Sequence, residues 1–149
     1  MPKIDNNDRE IIQLLRENSK RSIQDIAKRI GLPLTTVHNR IKKLENQGTI
    51  KRFTIDLDWA ALGKQVTAFV LISVEYILPT GGRVRQEDIA REIKGLPEVE
   101  EVSVLTGGAD MIAKVRVKDV AELNEFLINK LRTISGVDKT QTMIVLSTV

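Results

Sequence analysis

The chain has 149 residues, with 23 Lys and Arg against 20 Asp and Glu, which gives a net charge of +3. This length allows one ordinary domain or two small ones, and the composition is typical of a soluble folded protein. The absence of Cys excludes disulfides and thiolate chemistry, and the single His, His38, excludes a multi-His metal site and argues against Ser-His catalysis. No apolar run is long enough for a membrane span and the N-terminal residues show no secretory signal, so a cytoplasmic location is expected.

The charge is unevenly distributed along the chain. Residues 1–52 contain 12 Lys and Arg against 6 Asp and Glu, a net charge of +6, whereas residues 53–149 contain 11 against 14, a net charge of −3. A positive domain attracts polyanions, and nucleic acid is the commonest of them, although charge alone leaves a chance unevenness open. We predict a DNA-binding domain over 1–52, a connector over 53–64 that contains Trp59, and a second domain over 65–149.

Three short helices are predicted in the N-terminal part. Asp5, with an acid three residues later, is typical of a capping box that begins the first helix, and Ser22 begins the second. Gly31 ends the second helix in the left-handed conformation, and a third runs from about Pro33 to Gln47. The short connection between the last two helices is the spacing of a helix-turn-helix. The alternating residues after Gly48 predict a strand that starts a wing.

The third helix presents a face suited to DNA. At 100° per residue, the side opposite the apolar Val37 carries amide, hydroxyl and cationic side chains and no acid. Asn pairs bidentately with adenine, and Lys reaches guanine or phosphate. The predicted DNA-contacting residues, including two basic residues of the wing, are Thr35, Thr36, His38, Asn39, Arg40, Lys42, Lys43, Lys51 and Arg52. For Arg40, which lies nearer the buried face, a phosphate contact and an ion pair with an acid of another helix are both open.

The C-terminal part alternates strands and helices. A β-branched segment from Val66 to Tyr76 predicts the first strand, and further strands are expected over 99–105, 111–117 and 143–146 with two helices between them. The order βαββαβ predicts a ferredoxin-like, α+β domain with a four-stranded antiparallel sheet and two helices on one face. The first and last strands are apolar on both alternations. We therefore expect the uncovered sheet face to form a homodimer interface that pairs two helix-turn-helix units.

One loop of this domain is a candidate ligand site. The segment from Thr106 to Asp110 contains Gly107 and Gly108, which allow a close approach of the backbone to a ligand. The carboxylate of Asp110 can accept from an ammonium group, and this combination suits an α-amino acid or a similar small polar molecule. The alternative is a β-hairpin turn, which the spacing alone favours. No catalytic constellation and no metal or cofactor site is evident elsewhere.

Four segments carry a resemblance that does not depend on the periodicity of apolar residues. They are IDNNDREIIQLLRENSKRSIQDIAKRIGL, VHNRIKKLENQGTIK, LPEVEEVSVLTGGAD and SGVDKTQTMIVL. In this order they resemble the Lrp/AsnC (feast/famine) family of transcription regulators. The resemblance implies a winged helix-turn-helix, a ligand-sensing ferredoxin-like domain, dimers that assemble into octamers, and an amino-acid effector bound between dimers. It maps the effector loop of the family onto Thr106, Gly107, Gly108 and Asp110, and its last-strand threonine motif onto Thr140 and Thr142.

Three functions are compatible with these features to different degrees. The leading hypothesis is a sequence-specific, double-stranded-DNA-binding transcription regulator controlled by a small effector, which the resemblance makes an amino acid. An architectural DNA-organising protein with little effector control would use the same residues. An enzyme is the least favoured, because relatives of the fold that decarboxylate tetrapyrroles need a His or a cationic pocket in the sensing domain, whereas His38 lies in the predicted recognition helix.

Overall fold

The computed structural model describes residues 3–148, so Met1, Pro2 and Val149, the outermost residues of the two predicted domains, lie outside the described range. The chain divides into two compact units, Met1–Leu57 and Asp58–Val149. Each unit has its own hydrophobic core. They are called the N-terminal unit and the C-terminal unit below.

The N-terminal unit is built from α1 (Asn6–Glu17), α2 (Ile23–Ile30) and α3 (Leu34–Asn46). The predicted caps are confirmed. The Asp8 N–H donates to Asp5 Oδ1 at 2.9 Å and the Asp5 N–H donates to Asp8 Oδ2 at 3.2 Å, which completes the capping box. Ser22 Oγ accepts a hydrogen bond from the Asp25 N–H in the first turn of α2, and Gly31 ends that helix with a φ of +69°.

The core of the N-terminal unit joins all three helices. Ile11 of α1, Ile26 of α2, and Val37 and Leu44 of α3 are completely buried. These residues are the apolar stripes that the 3.6-residue period predicts. Because Val37 and Leu44 anchor one side of α3 in the core, the opposite side of that helix faces outward.

The prediction of a strand after Gly48 is wrong, because the described chain forms no strand there. Residues 51–58 belong to no helix or strand. The physical reason is that a strand needs a neighbour to pair its N–H and C=O groups, and the described N-terminal unit contains no other strand. Two apolar side chains of this irregular segment, Phe53 and Ile55, are therefore 48% and 67% exposed.

The C-terminal unit has the predicted βαββαβ order. Its elements are β1 (Val66–Val74), α4 (Gln86–Lys94), β2 (Val99–Val104), β3 (Met111–Val117), α5 (Val120–Asn129), a 3-10 turn (Leu131–Thr133) and β4 (Val137–Ile144). The strands lie in the order β2-β3-β1-β4 and every neighbouring pair is antiparallel. The ferredoxin-like prediction is confirmed.

Four strand boundaries differ from the prediction. The first strand ends at Val74 instead of Tyr76, and β2 ends at Val104 instead of 105. The last strand, β4, begins at Val137, six residues before the predicted start at 143, and ends at Ile144 instead of 146. Backbone pairing with β1 defines β4, from Val74 opposite Val137 to Ala68 opposite Ile144. The strand β4 lies at the edge of the sheet, where polar residues are common. Because its first residues are polar, they show no apolar alternation from which the sequence could predict a strand.

Strand register assigns each residue to one face of the sheet. The side chains of Val70, Ile72, Ala113 and Val115 are completely buried and pack with residues of α4 and α5, including the buried Phe126. The alternate positions lie on the opposite face, which we call the open face. Its residues on β1, β3 and β4 are Thr67, Phe69, Leu71, Ser73, Ile112, Lys114, Arg116, Lys139, Gln141 and Met143.

Candidate DNA and ligand sites

The outward side of α3 carries most of the predicted DNA-contacting residues. Thr36 and Arg40 are half-buried, and the other predicted residues of this helix are exposed, namely Thr35, His38, Asn39, Lys42 and Lys43. Within the described residues, the side-chain hydrogen bonds and ion pairs of α3 all belong to Arg40. The amide, imidazole and ammonium groups of this surface are thus available to a partner outside the chain.

Arg40 links α3 to the beginning of α1. Its Nη1 atom lies 2.7 Å from Asp5 Oδ2 and 2.8 Å from Asp8 Oδ1, and the Asp8 side chain is completely buried. The hydrogen bond from the Asp8 N–H, together with the guanidinium, lowers the pKa of Asp5 below its ordinary value. Of the two alternatives for Arg40, the structure shows the ion pair with another helix. A phosphate contact by its remaining N–H groups stays a prediction.

Lys51 and Arg52 follow α3 and are both exposed. They line a groove of about 890 Å³ between the irregular segment and the C-terminal half of α1. Apolar side chains such as Leu15 and Phe53 also line this groove. The two cations therefore extend the positive surface of the N-terminal unit beyond α3, and their contact with phosphate stays a prediction.

A cavity of about 610 Å³ in the C-terminal unit adjoins the predicted effector loop. It is lined by Leu71, Ser73, Leu105, Thr106, Gly108, Ala109, Lys139, Thr140 and Gln141. The structure thus brings together three of the six predicted effector residues, Thr106, Gly108 and Thr140. The other three, Gly107, Asp110 and Thr142, do not line this cavity.

The threonines of β4 lie on the other face of the strand from Lys139 and Gln141. Thr140 is opposite Ile72 and Thr142 is opposite Val70, and both partners point into the core. The hydroxyl of Thr140 accepts from Arg132 Nε at 3.2 Å. A ligand-binding role for Thr142 therefore finds no support in the cavity as described, and it stays a prediction from the resemblance.

Asp110 anchors the effector loop. Its Oδ2 accepts from the Val74 N–H at 2.8 Å and its Oδ1 accepts from the Tyr76 hydroxyl at 2.7 Å. Its carbonyl accepts from Gln86 Nε2 at 2.9 Å. The bond to Asp110 raises the pKa of Tyr76. The carboxylate thus holds the loop against β1, and the predicted contact with a ligand ammonium is not tested by this geometry.

Six lining residues were not among the predicted effector residues. Leu105 and Ala109 adjoin or belong to the effector loop, and the other four are Leu71, Ser73, Lys139 and Gln141. They share the open face, where Ser73 lies opposite Lys139 and Leu71 opposite Gln141. The two-residue alternation of β4 is the signal that identifies them, once the strand is known to begin at Val137.

Residues 3–148 contain no group of three or more His, Cys, Asp or Glu side chains placed to hold a metal ion. None of the helices in this range combines the length and the apolar character that crossing a bilayer requires.

Two family models match separate parts of the chain. A family model described as Lrp/AsnC ligand binding domain matches residues 67–149, and one described as winged helix-turn-helix DNA-binding matches residues 4–51. The HTH-type transcriptional regulator FL11 of Pyrococcus horikoshii is 39% identical over 145 residues, which cover 97% of this chain and 91% of that protein.

Solved structures are similar over the same length. AsnC of E. coli is 30% identical with a TM-score of 0.83, and the match covers 99% of this chain and 95% of that one. A transcriptional regulator of Neisseria meningitidis, solved as a complex with L-Met, is 25% identical with a TM-score of 0.88, covering 97% of this chain and 91% of that one. The chain therefore belongs to the Lrp/AsnC family, and it is a DNA-binding transcription regulator with a ligand-binding domain.

Proposed function

We propose that this regulator binds specific DNA sites as a dimer through the exposed side of α3, and that an amino acid in the cavity of the C-terminal unit modulates that binding. The observation that carries the DNA part is the row of exposed side chains on α3 without partners in the described chain. The amino-acid part is supported by the similar regulator of Neisseria meningitidis, which was solved with L-Met.

The residues of the α3 surface divide into two roles. Asn39 is exposed, and its amide has the donor and acceptor needed to read adenine in the major groove. Lys42 and Lys43 supply positive charge for guanine or phosphate. The other predicted contacts position the protein on the DNA backbone without reading sequence; they are Thr35, Thr36, His38, Lys51 and Arg52. The ninth predicted residue, Arg40, acts by placing α3 through its ion pairs with Asp5 and Asp8.

Dimerisation is proposed through the open face of the sheet. Phe69, Leu71 and Ile112 are only half-buried there, and Met143 is 42% exposed, whereas α4 and α5 pack on the opposite face. A two-fold pair of this kind carries two α3 helices, which suits palindromic half-sites. Assembly of the dimers into an octamer, with the effector between dimers, is what membership of the family suggests.

Selection of genomic fragments by the purified protein tests the DNA part. We expect a selected fragment to bind about 10³-fold tighter than a shuffled one of equal length, with an affinity that falls steeply with salt. Equal and salt-insensitive binding to both fragments would overturn the proposal. Equal but salt-sensitive binding to both, with no heat from any of the twenty amino acids in calorimetry, would instead support an architectural DNA-organising protein.

A further inference from the structure

Lys139 is the one charged side chain in the described lining of the cavity, since the other eight residues are neutral. It is exposed, and the ion pairs of residues 3–148 do not include it. The register of β4 opposite Ser73 places Lys139 on the open face, on the same side of the sheet as Leu71 and Gln141. The cavity lining therefore carries a net charge of +1.

The backbone of the effector loop adds unpaired donors. The N–H groups that flank the loop are bonded, from Leu105 to the carbonyl of Asp110 at 2.8 Å and from Asp110 to the carbonyl of Ile72 at 3.0 Å. In the described structure, the four intervening N–H groups of residues 106–109 donate to no protein acceptor. A run of free backbone N–H groups is a favourable environment for an anion. The loop and Lys139 thus favour the same sign of ligand charge.

No carboxylate of the described lining balances these donors. Asp110 lies at the end of the loop, but its two carboxylate oxygens already accept from the Val74 N–H and the Tyr76 hydroxyl. An ammonium group in the cavity meets only hydroxyl and carbonyl oxygens, such as those of Ser73 and Gln141. A carboxylate in the cavity meets the ammonium group of Lys139 and lies beside a loop whose backbone N–H groups are free, and charge-assisted hydrogen bonds are the stronger kind.

We infer that the cavity selects a small molecule with a net negative charge, either an acidic α-amino acid or the corresponding 2-oxo acid, and that Lys139 determines this selectivity. The inference rests on the proposal that this cavity is the effector site. Leu71 and Leu105 provide apolar contacts for the methylene groups between two carboxylates. A neutral amino acid is a zwitterion whose net charge of zero does not balance the single positive charge of the lining, and a cationic amino acid adds to that charge.

Calorimetric titration of the full chain tests this selectivity. The probes are L-glutamate, L-glutamine, L-methionine, L-lysine and 2-oxoglutarate, in a buffer free of carboxylates. We expect glutamate, 2-oxoglutarate or both to bind about tenfold more tightly than glutamine and methionine, with lysine weakest. The ratio between glutamate and 2-oxoglutarate shows which of the two anion sources the site uses.

Two variants separate the role of Lys139 from a general effect of charge. Lys139→Gln is expected to remove the preference for the acidic probes, and Lys139→Arg to keep it. Lys118→Gln is the matched control, because Lys118 is an exposed lysine of the same unit that does not line the cavity. Unchanged circular dichroism and DNA affinity in each variant establish that the fold is intact.

The outcomes distinguish this inference from the proposed function. Methionine or lysine binding as tightly as glutamate would overturn the acidic selectivity and leave an amino-acid sensor in place. A preference for glutamate that survives in Lys139→Gln would overturn the role of Lys139. If none of the five probes produces heat, the inference fails, and the proposed effector site fails as well only when the remaining amino acids also produce none.

Discussion

Replacing Arg40 with Met tests whether this residue positions α3 or contacts DNA. The change removes the guanidinium whose Nη1 bonds Asp5 and Asp8, and it leaves the buried carboxylate of Asp8 with the Asp5 N–H as its one hydrogen-bond donor among the described residues. Breaking a fully buried ion pair costs about 3–5 kcal/mol. Because the side chains of Arg40 and Asp5 are 25% and 50% exposed, we expect a smaller loss, about 2–3 kcal/mol.

The stability loss is measured by native-state hydrogen exchange at the amides of α1 and α3, which reports the opening of the N-terminal unit separately from the C-terminal unit. Lys42→Met is the matched control on the same helix. Lys42 is exposed, and the ion pairs of the described chain do not include it. We expect its free energy of opening to stay within about 0.5 kcal/mol of the wild-type value.

DNA binding should show the opposite pattern in the two variants. If Lys42 contacts a phosphate, Lys42→Met reduces the slope of log affinity against log salt by about 0.9. Arg40→Met should weaken binding and leave that slope unchanged, because the residue acts through the placement of α3. A stable Arg40→Met protein with a reduced salt slope would refute the positioning role and make Arg40 a phosphate contact.

Three further changes test other parts of the molecule. Asn39→Ala should lose about 1–3 kcal/mol of affinity for a selected site and relax base preference at one position, and an unchanged preference in a binding selection would contradict base reading. Gly136→Ala places a Cβ 2.7 Å from Ile89 Cδ1, at a position where φ is +92°. We expect the free energy of unfolding of the C-terminal unit to fall by about 1–3 kcal/mol in thermal unfolding, and a fall of less than about 0.5 kcal/mol would contradict the crowding. The pKa of Asp5 is lowered from 3.8 by the Asp8 N–H and the guanidinium, so its contribution to stability is complete above about pH 4 and is lost as the pH falls through the lower folded-state value. Exchange of the α1 amides should accordingly reveal weaker protection only below about pH 4, and loss of that contribution already near pH 6 would contradict the assignment.

Local features of this fold were predictable from the sequence. The caps at Asp5 and Ser22 are bonds between residues three apart, and Gly31 ends α2 through its own backbone conformation. The order of strands and helices in the C-terminal unit follows from the alternation of β3 and the apolar stripe of α5. Each of these signals is contained in a single element, so no knowledge of the tertiary fold is needed to detect it.

The features that were missed depend on partners distant in the sequence. The bond between Tyr76 and Asp110 spans 34 residues, and it becomes visible only when β1 and the effector loop lie side by side. The position of Lys139 at the cavity depends on the register of β4 against β1. The polar residues at the start of this edge strand show no apolar alternation, so the sequence predicts a strand that is too short. Residues 51–58 alternate like a strand but have no neighbour to pair with in the described unit, so the pattern alone overpredicts structure there.

In the proposed function, a ligand in the C-terminal unit controls DNA binding by the N-terminal unit. The most direct test of this control is the dissociation constant of a selected DNA fragment, measured by fluorescence anisotropy at constant salt with and without saturating L-glutamate. We predict a change of at least about fivefold, matched by an equal change in glutamate affinity when DNA is present, because thermodynamic coupling is reciprocal. Identical DNA affinities under both conditions, with glutamate demonstrably bound, would contradict the account.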